Sequence, residues 1–347
     1  TYPDFEFLVA QTVLAVDHLQ GTAHLEGWDI DDKRLREELD SLALLPVAAR
    51  PTAPQRERIR AVADVNDAGF RADVDKLKGN IHAGDIYQVV PARAFTVECP
   101  NALAAYRALR ETNPSPYMFY VRGAAYELFG ASPESNLKFT PEDRQIQLYP
   151  IAGTRPRGLN PDGSINHELD IRNELEMRTD QKEIAEHTML VDLARNDLAR
   201  VAVPRSRQVA ELLHVDRYSR VMHLVSRVTA TLHPDFDALD AYRACMNMGT
   251  LTGAPKLRAT ELIRRTEGKR RGSYGGAVGY LRGDGAMDNC IVIRSAYVQD
   301  GTAVVQAGAG VVKDSVPQAE ADETVHKAYA VLHAIAMAHG AELEVQR

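Results

Sequence analysis

The sequence predicts an α+β fold built mostly from antiparallel sheet, on three observations. Hairpin turns recur between short β-rich runs, at Gly123, at Pro141-Glu142-Asp143, at Gly283-Asp284-Gly285 and at Asp300-Gly301. Stretches of helical period lie between these hairpins rather than alternating with each strand. No G-x-G-x-x-G opens a helix after a strand and no P-loop is present, which removes the common nucleotide folds.

Taken in order, Phe5–Ala10 and Thr12–Val16 read as strands, with Gly21–Glu26 returning as a hairpin. Asp31–Leu44 reads as a helix, and the Pro/Ala stretch Leu45–Pro54 as a linker. Phe70, Val74, Leu77 and Ile81 keep helical spacing. Ile86–Val90 leads into a strand through Val97, and Asn101–Glu111 is an Ala-rich helix stopped at Asn113-Pro114-Ser115-Pro116. Tyr117–Val121 pairs with Tyr126–Gly130, and Leu137–Thr140 with Gln145–Ile151. Two helices then end near Val201, a β-branched strand surrounds His223, and helices cover Asp235–Met246 and Thr252–Arg265. A meander of Gly275–Leu281, Asn289–Val298 and Ala303–Val312 precedes a last helix, Ser315–His339, with Pro317 in its first turn.

Composition narrows the function. A chain of 347 residues with 45% hydrophobic and 26% charged residues has ample material for a core. Its net charge of −7 argues against a nucleic-acid surface, and no apolar run reaches the ~20 residues of a membrane span. Cys99, Cys245 and Cys290 are odd in number and lack zinc spacing, which points to a reducing, cytoplasmic setting.

The stretch Lys182–Asp197 is an uninterrupted helix that puts Glu183 and Glu186 one turn apart on one face. Glu320 and Glu323 repeat that spacing near the C-terminus. Should the two faces meet, four carboxylates converge on an oxygen-rich site suited to a hard divalent cation. Taken singly, each pair is otherwise a solvated face balanced by Lys182 and Lys327. Gly153-Thr154-Arg155-Pro156-Arg157-Gly158 suits a carboxylate or phosphate, or is a surface turn. Gly308-Ala309-Gly310 permits close approach of a ligand to backbone, or packs a sheet tightly. Arg294, read as mid-strand, needs a partner or an anionic ligand. On this evidence alone His223 is a core histidine.

The segments Asp85–Val90, Ser132–Ser135, Pro150–Pro156, Lys182–His187, Asp192–Asp197, Gly249–Lys256 and Gln306–Gly310 occur in the order seen in chorismate-utilising enzymes. The chain resembles that family from about Phe70 to Ala336, and within it most closely the component I branch of anthranilate synthase. The resemblance implies a fold of antiparallel sheets packed face to face with helices outside. It implies a chorismate-binding catalytic domain over 69–347, a linker over 46–68, and a remnant of an N-terminal region over 1–45 packed with the rest as one unit. It also implies Mg²⁺ on Glu186 and Glu323, with Glu183 and Glu320 acting through water, and Glu134 as general acid for the departing 4-hydroxyl. Thr250, Gly153 and Thr154 would hold the ring carboxylate, and Tyr274, Arg294, Gly308 and Gly310 the enolpyruvyl carboxylate. His223 becomes the base that takes the C2 proton.

Two positions discriminate within the family. Ala152 stands where aminodeoxychorismate synthases carry a nucleophilic Lys, and Gln88 where isochorismate and salicylate synthases carry a Lys that activates water. Both substitutions point to ammonia attack and to anthranilate. Ammonia in turn implies a separate glutamine amidotransferase subunit. Pro116, Tyr117, Met118, Val278 and Tyr280 match the family's tryptophan-inhibitor pocket, whose first part lies in an N-terminal segment outside this chain. Alternatives are an aminodeoxyisochorismate or aminodeoxychorismate synthase, a non-catalytic binding subunit, and, last, metal-dependent phosphoryl transfer.

Overall fold

A computed structural model describes residues 3–45, 58–218 and 221–347. The chain divides into two compact units, Thr1–Thr52 and Ala53–Arg347, where the sequence reading joined the first 45 residues to the rest. In the first unit β1 (Thr12–Asp17) and β2 (Thr22–Gly27) form the expected antiparallel hairpin, followed by α1 (Asp32–Ala43). The Asp31 carboxylate caps α1 by accepting from the Arg34 amide. Phe5–Ala10, expected as a strand, is irregular: its alternation finds no ladder partner among the described residues, and Phe5, Leu8 and Val9 lie exposed.

The second unit begins with β3 (Arg58–Ala63), α2 (Asp67–His82), the two-residue β4 (Gln88–Val89), β5 (Ala92–Glu98) and α3 (Ala102–Thr112). Next come β6 (Tyr117–Arg122), β7 (Glu127–Ser132), β8 (Ser135–Thr140), β9 (Gln145–Leu148) and β10 (Ile151–Pro156). Helices α4 (His167–Thr179) and α5 (Gln181–Ala199) lead to β11 (Gln208–Arg217) and β12 (Val221–Thr231). Then follow α6 (Ala238–Cys245), the single turn α7 (Gly249–Thr252), β13 (Gly253–Ala254) and α8 (Lys256–Glu267). The chain closes with β14 (Ala277–Leu281), β15 (Met287–Ile291), β16 (Ser295–Gln299), β17 (Thr302–Gly308), α9 (Pro317–Ala338) and β18 (Glu342–Gln346).

Two seven-stranded sheets result. One runs β18-β3-β5-β17-β16-β7-β6, the other β10-β12-β9-β8-β15-β14 with β11 added on β12. Pairing is antiparallel except between β18 and β3. Apolar stripes explain the layers: Ala321, Ala328, Val331, Leu332 and Ile335 of α9 are buried, and α9 with α3 covers the first sheet. Leu198, Val191 and Ala194 of α5, with Ala238 and Ala241 of α6, cover the second.

Three readings need correction. The span 46–68 is not a linker throughout, because β3 lies between β18 and β5 (residues 46–57 lie outside those described). Its alternation, with Ile59 and Ala61 buried, was masked by its arginines. Asn289–Val298 is not one strand of a meander. It breaks after Ile291 and resumes at Ser295, so β15 belongs to one sheet and β16 to the other, with Arg294 at the crossing in a left-handed conformation of φ +49°. Finally, β18 was not anticipated, since a parallel edge strand of five residues after a helix carries no turn signal.

One buried cation ties these layers together. Arg93, 1% exposed, donates to Thr324 Oγ1 and the Ala321 carbonyl of α9, to the Val65 carbonyl, and to Asp67 of α2, stacked against Phe70 and Phe95. Arg93→Met leaves these acceptors unserved and should lower the unfolding free energy by roughly 3 kcal/mol, read by urea denaturation. A loss under about 1 kcal/mol would contradict this account.

Candidate active site

The site lies where α5, α9, β10, β12 and the crossing at Arg294 meet. Helical spacing on α5 puts Glu183 and Glu186 on one face, as read from sequence. Glu186 is held below by the Gln88 amide, Nε2 to Oε1 at 2.6 Å. Burial raises its pKa, Gln88 and Lys182 oppose this, and Glu323 and Glu183 raise it further. The pKa of Glu320 is likewise raised by burial and by Glu323, and lowered by Ser315 and Lys182. The carboxylate of Glu186 on α5 therefore feels that of Glu323 on α9.

To the expected Lys182 and Lys327 the structure adds a third balancing cation, Arg155. Glu183 is bound by Arg155, which also reaches Glu176 and Asp180, while Glu323 pairs with Lys327. With these partners in place, no three acidic, His or Cys side chains among the described residues stand grouped for an ion. The side chains here are oxygen donors, the kind Mg²⁺ takes, and burial is the main cause that raises the pKa of Glu186 and of Glu320.

Beside this cluster Glu134 follows β7, 5% exposed, with no hydrogen-bond partner for Oε1. Burial pushes its pKa up to about 8, against the pull of Thr250, Lys327 and Arg294. A carboxyl in that state carries a proton at neutral pH and can donate it. The Thr250 hydroxyl lies close by, itself without a settled partner.

Arg294 turns into the site at the sheet crossing, its pKa lowered by burial and supported by Tyr274, Glu323 and Glu134. Tyr274, 7% exposed, packs under Arg271 and against Gly308, where an added Cβ would lie 3.0 Å from the tyrosine oxygen and 2.9 Å from the Pro91 carbonyl. At Gly310 a Cβ would meet Gln88 Nε2 at 3.0 Å and Glu186 Oε1 at 3.3 Å. Lys327 spans from Glu323 to the Gly308 carbonyl at 3.0 Å, joining helix and strand end.

His223 sits on β12, 9% exposed, with Nδ1 2.9 Å from Thr154 Oγ1. Burial and the nearby Arg294 charge bring its pKa down to about 4, so the ring is neutral at physiological pH. Gly153, at φ +96°, brings backbone against Glu183, whose Oε2 lies 2.8 Å from where a Cβ would be. A cleft of about 130 Å³ opens over Thr154, His223, Arg294 and Ala131, with the turn Asn113–Pro116 as its far wall.

The site residues read from sequence are thus brought together, apart from the five assigned to an inhibitor. Of those, Pro116 lines the same cleft, whereas Val278 and Tyr280 lie on β14 at the edge of the second sheet. Tyr117 on the edge strand β6 bridges to Asp288 of β15 at 3.0 Å, joining the two sheets. Sequence reasoning missed Arg271, which holds Glu267 and the Leu251 and Val90 carbonyls beneath Tyr274. Within Lys269-Arg270-Arg271 it resembled any solvated basic run. Arg155 was seen only as an anion binder.

Known proteins fit this geometry. A family model described as chorismate binding enzyme matches residues 1–333. Component 1 of anthranilate synthase from Escherichia coli K12 is 56% identical over 98% of this chain and 67% of that protein. The Vibrio parahaemolyticus component 1 is 57% identical over 97% of this chain and 63% of its own length. The crystal structure of anthranilate synthase component I from Streptococcus pneumoniae superposes with a TM-score of 0.82 at 33% identity, covering 92% of this chain and 72% of that one. The chain spans about two thirds of the length of the curated relatives it matches. It belongs to the chorismate-binding enzyme family. Within that family its similarity is to component 1 of anthranilate synthase, as the sequence motifs implied.

The raised Glu134 carboxyl has a consequence for stability. Because its folded pKa, about 8, exceeds the ordinary 4.5, its contribution is full below pH 4.5 and is lost as pH climbs to 8. Glu134→Gln should match the parent near pH 4.5 and exceed it in Tm at pH 8.5. Parallel Tm–pH curves would contradict the raised pKa.

Proposed function

We propose that this chain is an anthranilate synthase that converts chorismate and ammonia to anthranilate and pyruvate. The observation that carries the reading is a buried protonated carboxyl, Glu134, and a buried neutral imidazole, His223, both within the field of Arg294, which lines one cleft with His223. At neutral pH one holds a proton to donate and the other is free to accept one.

In this reading Thr250 and the Gly153–Thr154 backbone receive the ring carboxylate. Arg294, Tyr274 and the Gly308 and Gly310 amides receive the enolpyruvyl carboxylate. Glu134 protonates the leaving 4-hydroxyl as ammonia adds at C2. His223 then takes the C2 proton through Nε2, while Nδ1 carries the other proton toward Thr154, and the enolpyruvyl group leaves as pyruvate. Glu186 and Glu323 would hold Mg²⁺, with Glu183 and Glu320 behind water. Bound there, the ion would offset the ring carboxylate and draw electrons from the ring.

Ammonia as nucleophile follows from Ala152, which offers no amine, and from Gln88, whose amide is engaged with Glu186 and is no base for water. A glutamine amidotransferase subunit is the expected source. Tryptophan at Pro116, Tyr117, Met118, Val278 and Tyr280 is the expected inhibitor. A cytoplasmic setting agrees with three buried free thiols and with no helix, among the described residues, long and apolar enough to cross a membrane.

The test is incubation with chorismate, Mg²⁺ and an ammonium salt at alkaline pH, following anthranilate fluorescence with mass-spectrometric identification. Anthranilate that disappears on chelation is the expected product; aminodeoxyisochorismate would overturn the assignment. Gly310→Ala should cut kcat/KM at least ten-fold, because its methyl displaces either Gln88 or Glu186. A change under two-fold would remove Gly310 from the site.

A further inference from the structure

Strand β12 is flanked by three irregularities, one on β10 and two on β11, and two of them meet at Val225. On β10, Ile151 pairs with Val225 and Thr154 with His223, so one extra residue bulges out at Ala152-Gly153. On β11, Glu211 pairs with Arg227 and His214 with Val225, so one extra residue bulges out at Leu212-Leu213, with Leu213 at φ +56°. A bulge takes backbone groups off the ladder, and buried backbone groups need partners. Both sets find them through one couple. His187 of α5, 0% exposed, places Nδ1 3.0 Å from the Ala152 carbonyl and Nε2 2.7 Å from Ser226 Oγ. Ser226, central on β12, accepts the Leu213 amide at 2.9 Å.

The donors and acceptors assign themselves. The Ala152 carbonyl can only accept, so the proton of the neutral ring is on Nδ1. Nε2 then accepts the Ser226 hydroxyl hydrogen, while Oγ accepts from Leu213 N–H. The β10 bulge so held is the one that turns Gly153 against Glu183 and returns Thr154 to the ladder opposite His223, within 2.9 Å of its Nδ1.

We propose that His187 and Ser226 form a positioning couple: by pinning the paired bulges on either side of β12, they set the Gly153-Thr154 backbone and orient His223. His187 touches no reacting atom in this assignment. The inference rests on the proposed role of His223, and it deepens that reading by naming what aims the base.

The test compares the parent with His187→Phe, which fills the ring volume but makes neither bond, and with the milder Ser226→Ala. Ile263→Ala, in a separate core cluster, supplies a purely destabilising control. Steady-state kinetics with chorismate, Mg²⁺ and ammonium are measured well below each variant's Tm. ¹⁵N-histidine spectra at pH 7.5, assigned by single replacements, are recorded on the same proteins without substrate. His187→Phe should lose at least twenty-fold in kcat, and Ser226→Ala about five-fold. In both, the His223 Nδ1 resonance should shift as its Thr154 hydrogen bond is lost, while Ile263→Ala keeps kcat and that resonance. In the parent His187 should carry its proton on Nδ1.

An Nε2-protonated His187, or an unmoved His223 resonance in both variants, overturns the proposal. So does a kcat loss that Ile263→Ala shares at equal loss of Tm. If the parent makes no anthranilate yet the spectra behave as stated, the reaction assignment fails and the positioning couple stands.

Discussion

The site depends on an electrostatic debt between two helices. Burial raises the pKa of Glu186 on α5 and of Glu320 on α9, and neighbouring carboxylates raise them further, Glu323 in both cases and Glu183 for Glu186. The surroundings answer with two ion pairs and one hydrogen bond: Arg155 comes from β10, Lys327 from one turn along α9, Gln88 from a two-residue strand. Each answer joins two elements, so the same attractions that quiet the carboxylates also assemble the cleft. A chain folded only by its apolar stripes would have no reason to bring these two helix faces together.

Around that cluster, burial sorts protons. It raises Glu134 and lowers His223, two shifts of opposite sign from one cause, since in each case the charged form is what the apolar walls disfavour. Arg294 contributes to both, lowering the carboxyl somewhat and the imidazole further. The pair is thereby held as acid and base at once, which two groups exposed to water at pH 7 would not be.

Much of this was legible in the sequence because period and spacing are local. The carboxylate pairs, the Gly308-Ala309-Gly310 approach and the strand around His223 could be read from a few residues each. What was not legible depends on long-range pairing. Arg294 lay inside an apolar run that looked like one strand, and nothing local says that Ile291 and Ser295 belong to different sheets. Arg93 and Arg271 gave no signal in the sequence because partners of each come from far along the chain. His187, beside Glu186 in sequence, gave no sign of its work, since bulges become visible only when both strands are in register.

The passage of one strand from sheet to sheet has a mechanical meaning. Between Ile291 and Ser295 the chain is a single taut joint, and Arg294 is its pin. An anion gripped by that guanidinium pulls on β15 and β16 together, so a load applied at the cleft is shared by both sheets. The Tyr117–Asp288 bond ties the same two sheets a second time, from the edge strand β6 to β15.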